Sequence, residues 1–403
     1  MIDAQSPLSN SDNNVQIAIT PCERYGEDYG TDASRVISPD DCRQAADLVR
    51  LLSGYEQTPL LEDGRLADEC GVASVLIKHE GYRAPTHSFK VLGPPYALAR
   101  HLLSRLDLGH HNPRELVNGK LRSRVRHHTA CAATSGNHGR ALAWAAATYG
   151  CPCRIYMPES TGAFREEQIQ QFGAETVRVA GTYDDAVRRA VLDSERPGFV
   201  LVGDGARPDA GVLRHIIHGY SVVGEELVSA IETGATATHV FVPAGSGSLA
   251  AAVTARLWMA YGAKRPKIVV VQPHSADSGY QSCMNASRTA SKGDLATVMD
   301  GLSVRELSAD SWAILGSGAF AFITVHDNPA LSMLRRLSRH GELTIGETGI
   351  AALAGFKAAV GDPNVRQRLH LDQSSRVILI ASEGITDPLV LDKLLSPFLS
   401  SDQ

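Results

Sequence analysis

From about residue 72 onward, short apolar runs rich in Val and Ile alternate with segments whose apolar positions recur at helical spacing. Residues 75–78, 128–133, 153–157, 176–179, 199–202, 239–242, 267–271 and 377–380 read as strands. Helices are predicted over residues 96–105, 137–149, 165–172, 183–192, 212–232, 248–261, 328–339, 349–360 and 388–399. Strands without polar alternation, joined by helical crossovers, belong to open sheets covered on both faces. Eight such strands are more than one small sheet holds, so the pattern predicts two α/β domains facing a cleft. Residues 1–30, rich in Ser, Asn and Asp, read as a flexible leader.

Open α/β sheets present ligands at the carboxyl ends of their strands, so the loops that follow strands carry the chemistry. Four are unusual. After the strand at 239–242 comes Gly245-Ser246-Gly247-Ser248-Leu249-Ala250, the G-x-G-x-x-A spacing of a dinucleotide fingerprint. Glycines let backbone N–H groups approach an anion, and the next helix adds a partial positive charge. A dinucleotide also requires an acid at the end of the next strand, where this chain has Gln272. That speaks against NAD and leaves a phosphate cradle or plain close packing of helix and strand. The similar run at 316–321 precedes an apolar segment instead of following a strand and counts as accidental.

The second loop holds Lys90, in Ser88-Phe89-Lys90, just before Pro94-Pro95. Two prolines fit only at a helix start, which puts Lys90 on the turn entering that helix. A lysine at the edge of an apolar site suits Schiff-base chemistry; a snorkelling surface lysine is the plainer alternative. The third loop is Thr134-Ser135-Gly136-Asn137-His138-Gly139, hydroxyls beside bare amides, a nest for a carboxylate or merely a helix cap. The fourth, Ser382-Glu383-Gly384, ends the last strand. There Ser382 is either a turn hydroxyl or a partner for a ring nitrogen.

Composition narrows the classes. A formal charge of −5 argues against a nucleic-acid partner, and the basic run at 120–128 is short and lacks aromatics. No apolar run approaches the roughly 20 residues of a membrane span. The seven cysteines are scattered, with no C-x-x-C, so no metal site is expected and the thiols read as reduced, as in the cytoplasm. The adjacent histidines at 110–111 and 127–128 point in different directions and do not suggest a metal.

In chain order, from Ser88-Phe89-Lys90 to Ser382-Glu383-Gly384, the four loops resemble those of the fold-type II pyridoxal-phosphate enzymes, the tryptophan synthase β and threonine dehydratase superfamily. The likeness runs through most of residues 55–390 and, within that group, is strongest to the diaminopropionate ammonia-lyase family. It is carried by Ser88-Phe89-Lys90, by Gly136-Asn137-His138-Gly139, by Lys78-His79-Glu80-Gly81-Tyr82-Arg83 and by Gly346-Glu347-Thr348-Gly349. The resemblance implies pyridoxal 5'-phosphate held on Lys90, with Asn137 on its 3-oxygen, Gly245, Ser246, Gly247 and Ser248 around its phosphate, and Ser382 facing its ring nitrogen. A neutral hydroxyl at that nitrogen favours elimination at Cβ. Thr134, Ser135, Gly136 and His138 would receive the substrate carboxylate, and Asp204 would protonate the leaving group.

The implied activity is α,β-elimination on a small amino acid, of the 2,3-diaminopropionate or serine kind, through an aminoacrylate to a 2-oxo acid and ammonia. Capture of the aminoacrylate by a second nucleophile, a β-replacing synthase, is the alternative. A binding module without turnover is a third reading, and retention of all four loops argues against it. Also implied are a large domain of residues 31–93 with 205–403, a small mobile domain of residues 94–204, and a homodimer. The chain departs from the ammonia-lyases at Ser135, where they carry an aspartate associated with use of the D-isomer. It departs again at His87, in place of an asparagine, and at Pro94-Pro95, in place of a Gly-Ser pair. Glu347 is read either as a contact to the cofactor's face or as a cap of the helix at 349–360.

Overall fold

The structure, a computed structural model, describes residues 15–21, 24–26, 28–105, 112–203, 210–339 and 344–399. Among the described residues there are eleven strands: β1 (Gln16–Ile19), β2 (Leu60–Glu62), β3 (Ser74–His79), β4 (Thr129–Ala133), β5 (Cys153–Pro158), β6 (Glu175–Val179), β7 (Phe199–Leu201), β8 (His239–Pro243), β9 (Lys267–Pro273), β10 (Ala321–Val325) and β11 (Arg376–Ala381). They build a seven-stranded sheet, ordered β1-β10-β9-β8-β11-β3-β2, and a four-stranded sheet, ordered β6-β5-β4-β7. All eight expected strands are there, and the fold is of the expected open α/β kind.

The five central strands of the large sheet run parallel and are almost wholly buried, which their unbroken Val, Ile and Phe content requires. In register, Val377 lies opposite Val75 on one side and His239 on the other, and Phe241 opposite Val269. Only the edges, β1 on β10 and β2 on β3, are antiparallel. The small sheet is parallel throughout.

One apolar core joins the facing helices of the two sheets, and a second fills the far side of the large sheet. The helix Gly93–Arg105 packs both on Asn137–Tyr149, which belongs to the small sheet, and on the long helix Ala210–Glu232. That last contact is backbone-close. A Cβ on Gly219 would stand 2.3 Å from the Leu92 carbonyl oxygen, so only glycine lets the long helix reach the turn that carries Lys90.

Two expectations are corrected. Within the leader expected over 1–30, residues Gln16–Ile19 form an edge strand, because Ile17 and Ala18 bury against β10; residues 1–14 lie outside the described ones. The helix expected from residue 349 starts at Ala351, its N-cap is Ile350, and no side chain caps it. The second glycine run, at 316–318, ends the helix Ala309–Gly318, after which the chain enters β10. Among the described residues no helix is long and apolar enough to cross a membrane, and no group of three or more His, Cys, Asp or Glu is placed to hold a metal ion.

Candidate functional site

The carboxyl ends of β4, β8 and β11 open toward one another, and the loops that follow them line a cavity of about 910 Å³. Its walls include Lys90, Thr134, Ser135, Gly136, Asn137, His138, Gly245, Ser246, Gly247, Ser248 and Ser382. Every sequence-derived candidate except Asp204 therefore meets at one place; Asp204 lies outside the described residues.

Lys90 sits on a single 3-10 turn, Phe89–Val91, whose cap is the Ser88 hydroxyl, accepting the Lys90 N–H at 3.4 Å. The Phe89 N–H donates to the Ser382 carbonyl at 3.2 Å, which stitches this turn to the end of β11. The Lys90 ammonium lies 5.2 Å from the Phe89 ring centre and 5.7 Å from that of Tyr220. The amine is thus presented at an aromatic edge of the cavity, with its stem held by packing.

The glycine loop is a turn of necessity. Gly247 has φ +87 and caps the helix Ser248–Tyr261, and a Cβ there would stand 2.9 Å from both Leu307 and Ser311. The first N–H groups of a helix have no partner within it and carry a partial positive charge. The Ser246 and Ser248 hydroxyls, 3.2 Å apart, flank the same spot. This cradle fits a phosphate, and the cavity is large enough for a cofactor with substrate beside it.

Opposite, the residues after β4 enter the helix Asn137–Tyr149 directly. The Thr134 hydroxyl accepts the Gly136 N–H at 3.2 Å, shaping the loop around that helix N-terminus, where an anion is favoured. His138, also a wall of the cavity, is largely buried, and its Nε2 lies 2.7 Å from the Val202 carbonyl oxygen, which ties it to the chain just after β7.

Behind this wall lies a group of charges. The Asn137 amide nitrogen donates to Glu383, while its oxygen accepts from Arg140 at 3.1 Å. The other Glu383 oxygen accepts the Thr348 N–H at 3.2 Å. Arg165, on the helix Ala163–Gln170, reaches across to Asp300 at 2.6 Å, Asp387 at 3.1 Å and Glu347 at 3.6 Å. Glu347 therefore faces Arg165 and does not cap a helix. Burial, then the neighbouring Glu347, pushes the Glu383 carboxyl up to about 8, and burial also raises Glu347. Both Glu383 oxygens accept N–H donors, whereas one oxygen of Glu347 has no hydrogen-bond partner among the described residues. The signal for this cluster was in the fourth loop, where Glu383 and Asp387 flank the turn after Ser382.

Residues 51–383 match the family described as pyridoxal-phosphate dependent enzyme. The diaminopropionate ammonia-lyase of Escherichia coli strain K12 is 31% identical over 373 residues, covering 89% of this chain and 92% of that protein. A crystal structure of the Escherichia coli diaminopropionate ammonia-lyase in complex with an aminoacrylate-PLP azomethine reaction intermediate superposes with a TM-score of 0.83 at 29% identity, covering 95% of this chain and 97% of that one. The same enzyme in complex with D-serine superposes at 0.84 and 28% identity, with the same coverage.

Proposed function

Because the chain belongs to the family of pyridoxal-phosphate dependent enzymes, we propose that it is a lyase eliminating the β-substituent of a small amino acid, 2,3-diaminopropionate or serine in type, with release of a 2-oxo acid and ammonia. The convergence of Lys90, Asn137, the residues 245–248 and Ser382 on one cavity carries this reading. Relatives that are themselves ammonia-lyases support elimination, and nothing favours the β-replacing alternative.

Pyridoxal 5'-phosphate, when bound, supplies an electron sink conjugated to the substrate's Cα. Each residue has a role toward it. Lys90 would hold the cofactor through its amine, and the same amine would take the Cα proton. The N–H groups of Gly245, Ser246, Gly247 and Ser248 receive the phosphate, and the Asn137 amide donates to the ring's 3-oxygen. Ser382 faces the ring nitrogen with a neutral hydroxyl. Thr134, Ser135, Gly136 and His138 hold the substrate carboxylate at the helix N-terminus. Asp204 protonates the leaving amine, which needs acid assistance because an amide anion is a poor leaving group.

Residues 94–204 form the small domain, which closes on substrate and excludes water from the reacting atoms; residues 31–93 with 205–403 form the large one. We place the enzyme in the cytoplasm, on the six described cysteines being unpaired thiols. A homodimer is the assembly we propose, on the likeness to fold-type II enzymes. The test is a donor panel. With L-2,3-diaminopropionate, L-serine and O-acetyl-L-serine, at least one gives a 2-oxo acid with ammonia, two ammonia per oxo acid from 2,3-diaminopropionate and one from either serine donor. No oxo acid from any donor rejects the lyase reading.

A further inference from the structure

Asn137 has one amide, and the structure fixes which way round it sits. Arginine can only donate, so the Asn137 atom 3.1 Å from Arg140 is its oxygen. The amide nitrogen must then face Glu383, and the Glu383 oxygen there must accept. The second Glu383 oxygen is also an acceptor, for the Thr348 backbone N–H at 3.2 Å. The chain of donors runs in one direction, from Arg140 through Asn137 to Glu383, and is closed by a backbone N–H at its far end. An amide nitrogen carries two hydrogens; one goes to Glu383, and one is left for the cavity that Asn137 lines.

We propose that Glu383 is a positioning residue, which with Arg140 locks the Asn137 amide in the one orientation that offers an N–H to the cofactor's 3-oxygen. This rests on the cofactor reading above and adds to it a residue that does not itself touch the ring. Were the amide reversed, its oxygen would confront the cofactor oxygen, two acceptors facing each other. Beside this lock Arg165 pairs with Glu347, Asp300 and Asp387. Arg140 completes the set from the helix Asn137–Tyr149.

A double-mutant cycle tests the linkage, because a residue acting through Asn137 has nothing to act on once Asn137 is removed. The dissociation constant of pyridoxal 5'-phosphate is measured by titrating its visible absorbance band on four proteins: the natural chain, Glu383→Ala, Asn137→Ala and the double variant. Glu383→Gln replaces Glu383→Ala in the cycle if the alanine variant does not fold. Glutamine offers one acceptor where two donors must be met, so it too releases the lock. Glu383→Ala is expected to weaken binding by about tenfold, the worth of one hydrogen bond, in the natural background. In the Asn137→Ala background its effect should fall below about twofold on the same scale. Equal losses in both backgrounds overturn the assignment. A natural chain that shows no Lys90-dependent band overturns the cofactor reading instead, so the two failures are distinguishable.

Discussion

Glu226→Gln should destabilise the protein far more than a one-atom change suggests. Lys78, Glu80, Arg83 and Glu226 are all buried, at 2%, 0%, 1% and 4% exposure. Arg83 bridges the two acids, 2.8 Å from each Glu226 oxygen and 2.9 Å from each Glu80 oxygen. Lys78 donates to Glu226 and to the Thr58 carbonyl, and the Tyr55 hydroxyl donates to Glu226 at 3.0 Å. Burial opposes the charge on Glu80, but Arg83 and then Lys78 outweigh it and hold that carboxyl below its ordinary range. Two acids therefore face two bases. The substitution would leave one buried positive charge unmatched and turn an amide N–H₂ toward donors.

Removing one partner of a buried pair costs about 3–5 kcal/mol. Glu80 keeps both its bonds to Arg83, so the lower end, about 3 kcal/mol, is the expected loss. Urea unfolding followed by tryptophan fluorescence should show an earlier midpoint with an unchanged slope. Adding Lys78→Met to the variant restores neutrality and should recover part of the loss. A midpoint for Glu226→Gln within about 1 kcal/mol of the natural protein, as for an exposed pair, would refute the reasoning. The network joins the turn Glu80–Tyr82 to the long helix that presents Tyr220 beside Lys90, so cofactor affinity should fall with stability.

Two further outcomes follow from single residues. Gly247→Ala forces a side chain into φ +87 against Leu307 and Ser311, so cofactor binding should weaken about tenfold or more, while Gly64→Ala, with open space around it, leaves the same titration unchanged. His239 is buried with Nε2 2.9 Å from the Leu369 carbonyl oxygen, and burial lowers its pKa from the ordinary 6.5 to about 4. Above pH 6.5 the ring is neutral folded or unfolded and costs nothing. As pH falls from there toward about 4 only the unfolded chain takes the proton, and about 3 kcal/mol of stability is lost. His239→Gln should flatten stability against pH in that window; an unchanged slope would remove His239 as its cause.

The buried parallel strands were legible because both their faces are apolar, so β8, β9 and β11 announce themselves as runs. The edge strands were not. β2 is Leu-Leu-Glu with two exposed residues, and β1 lies in a polar stretch, so neither has a pattern to detect. β10 hid behind the accidental glycine run, although its five residues are all buried. The site was legible where chemistry sits in one loop: Lys90, Asn137, Gly245 to Ser248 and Ser382. It was illegible where chemistry depends on distant partners. Glu383 meets Asn137 across 246 positions, and Arg165 meets Asp387 across 222. In sequence those charges, like Lys78, Glu80 and Arg83, look like any solvated face, and only folding decides that they are inside and paired.

The central claim is that Lys90 is the cofactor's covalent anchor. Purified protein incubated with pyridoxal 5'-phosphate is reduced with borohydride, which fixes an imine as a stable amine, and its peptides are mapped by mass. The adduct should appear on the peptide containing Lys90 and vanish in a folded Lys90→Ala variant. An adduct confined to another lysine, or none on a protein that still forms oxo acid, would contradict it.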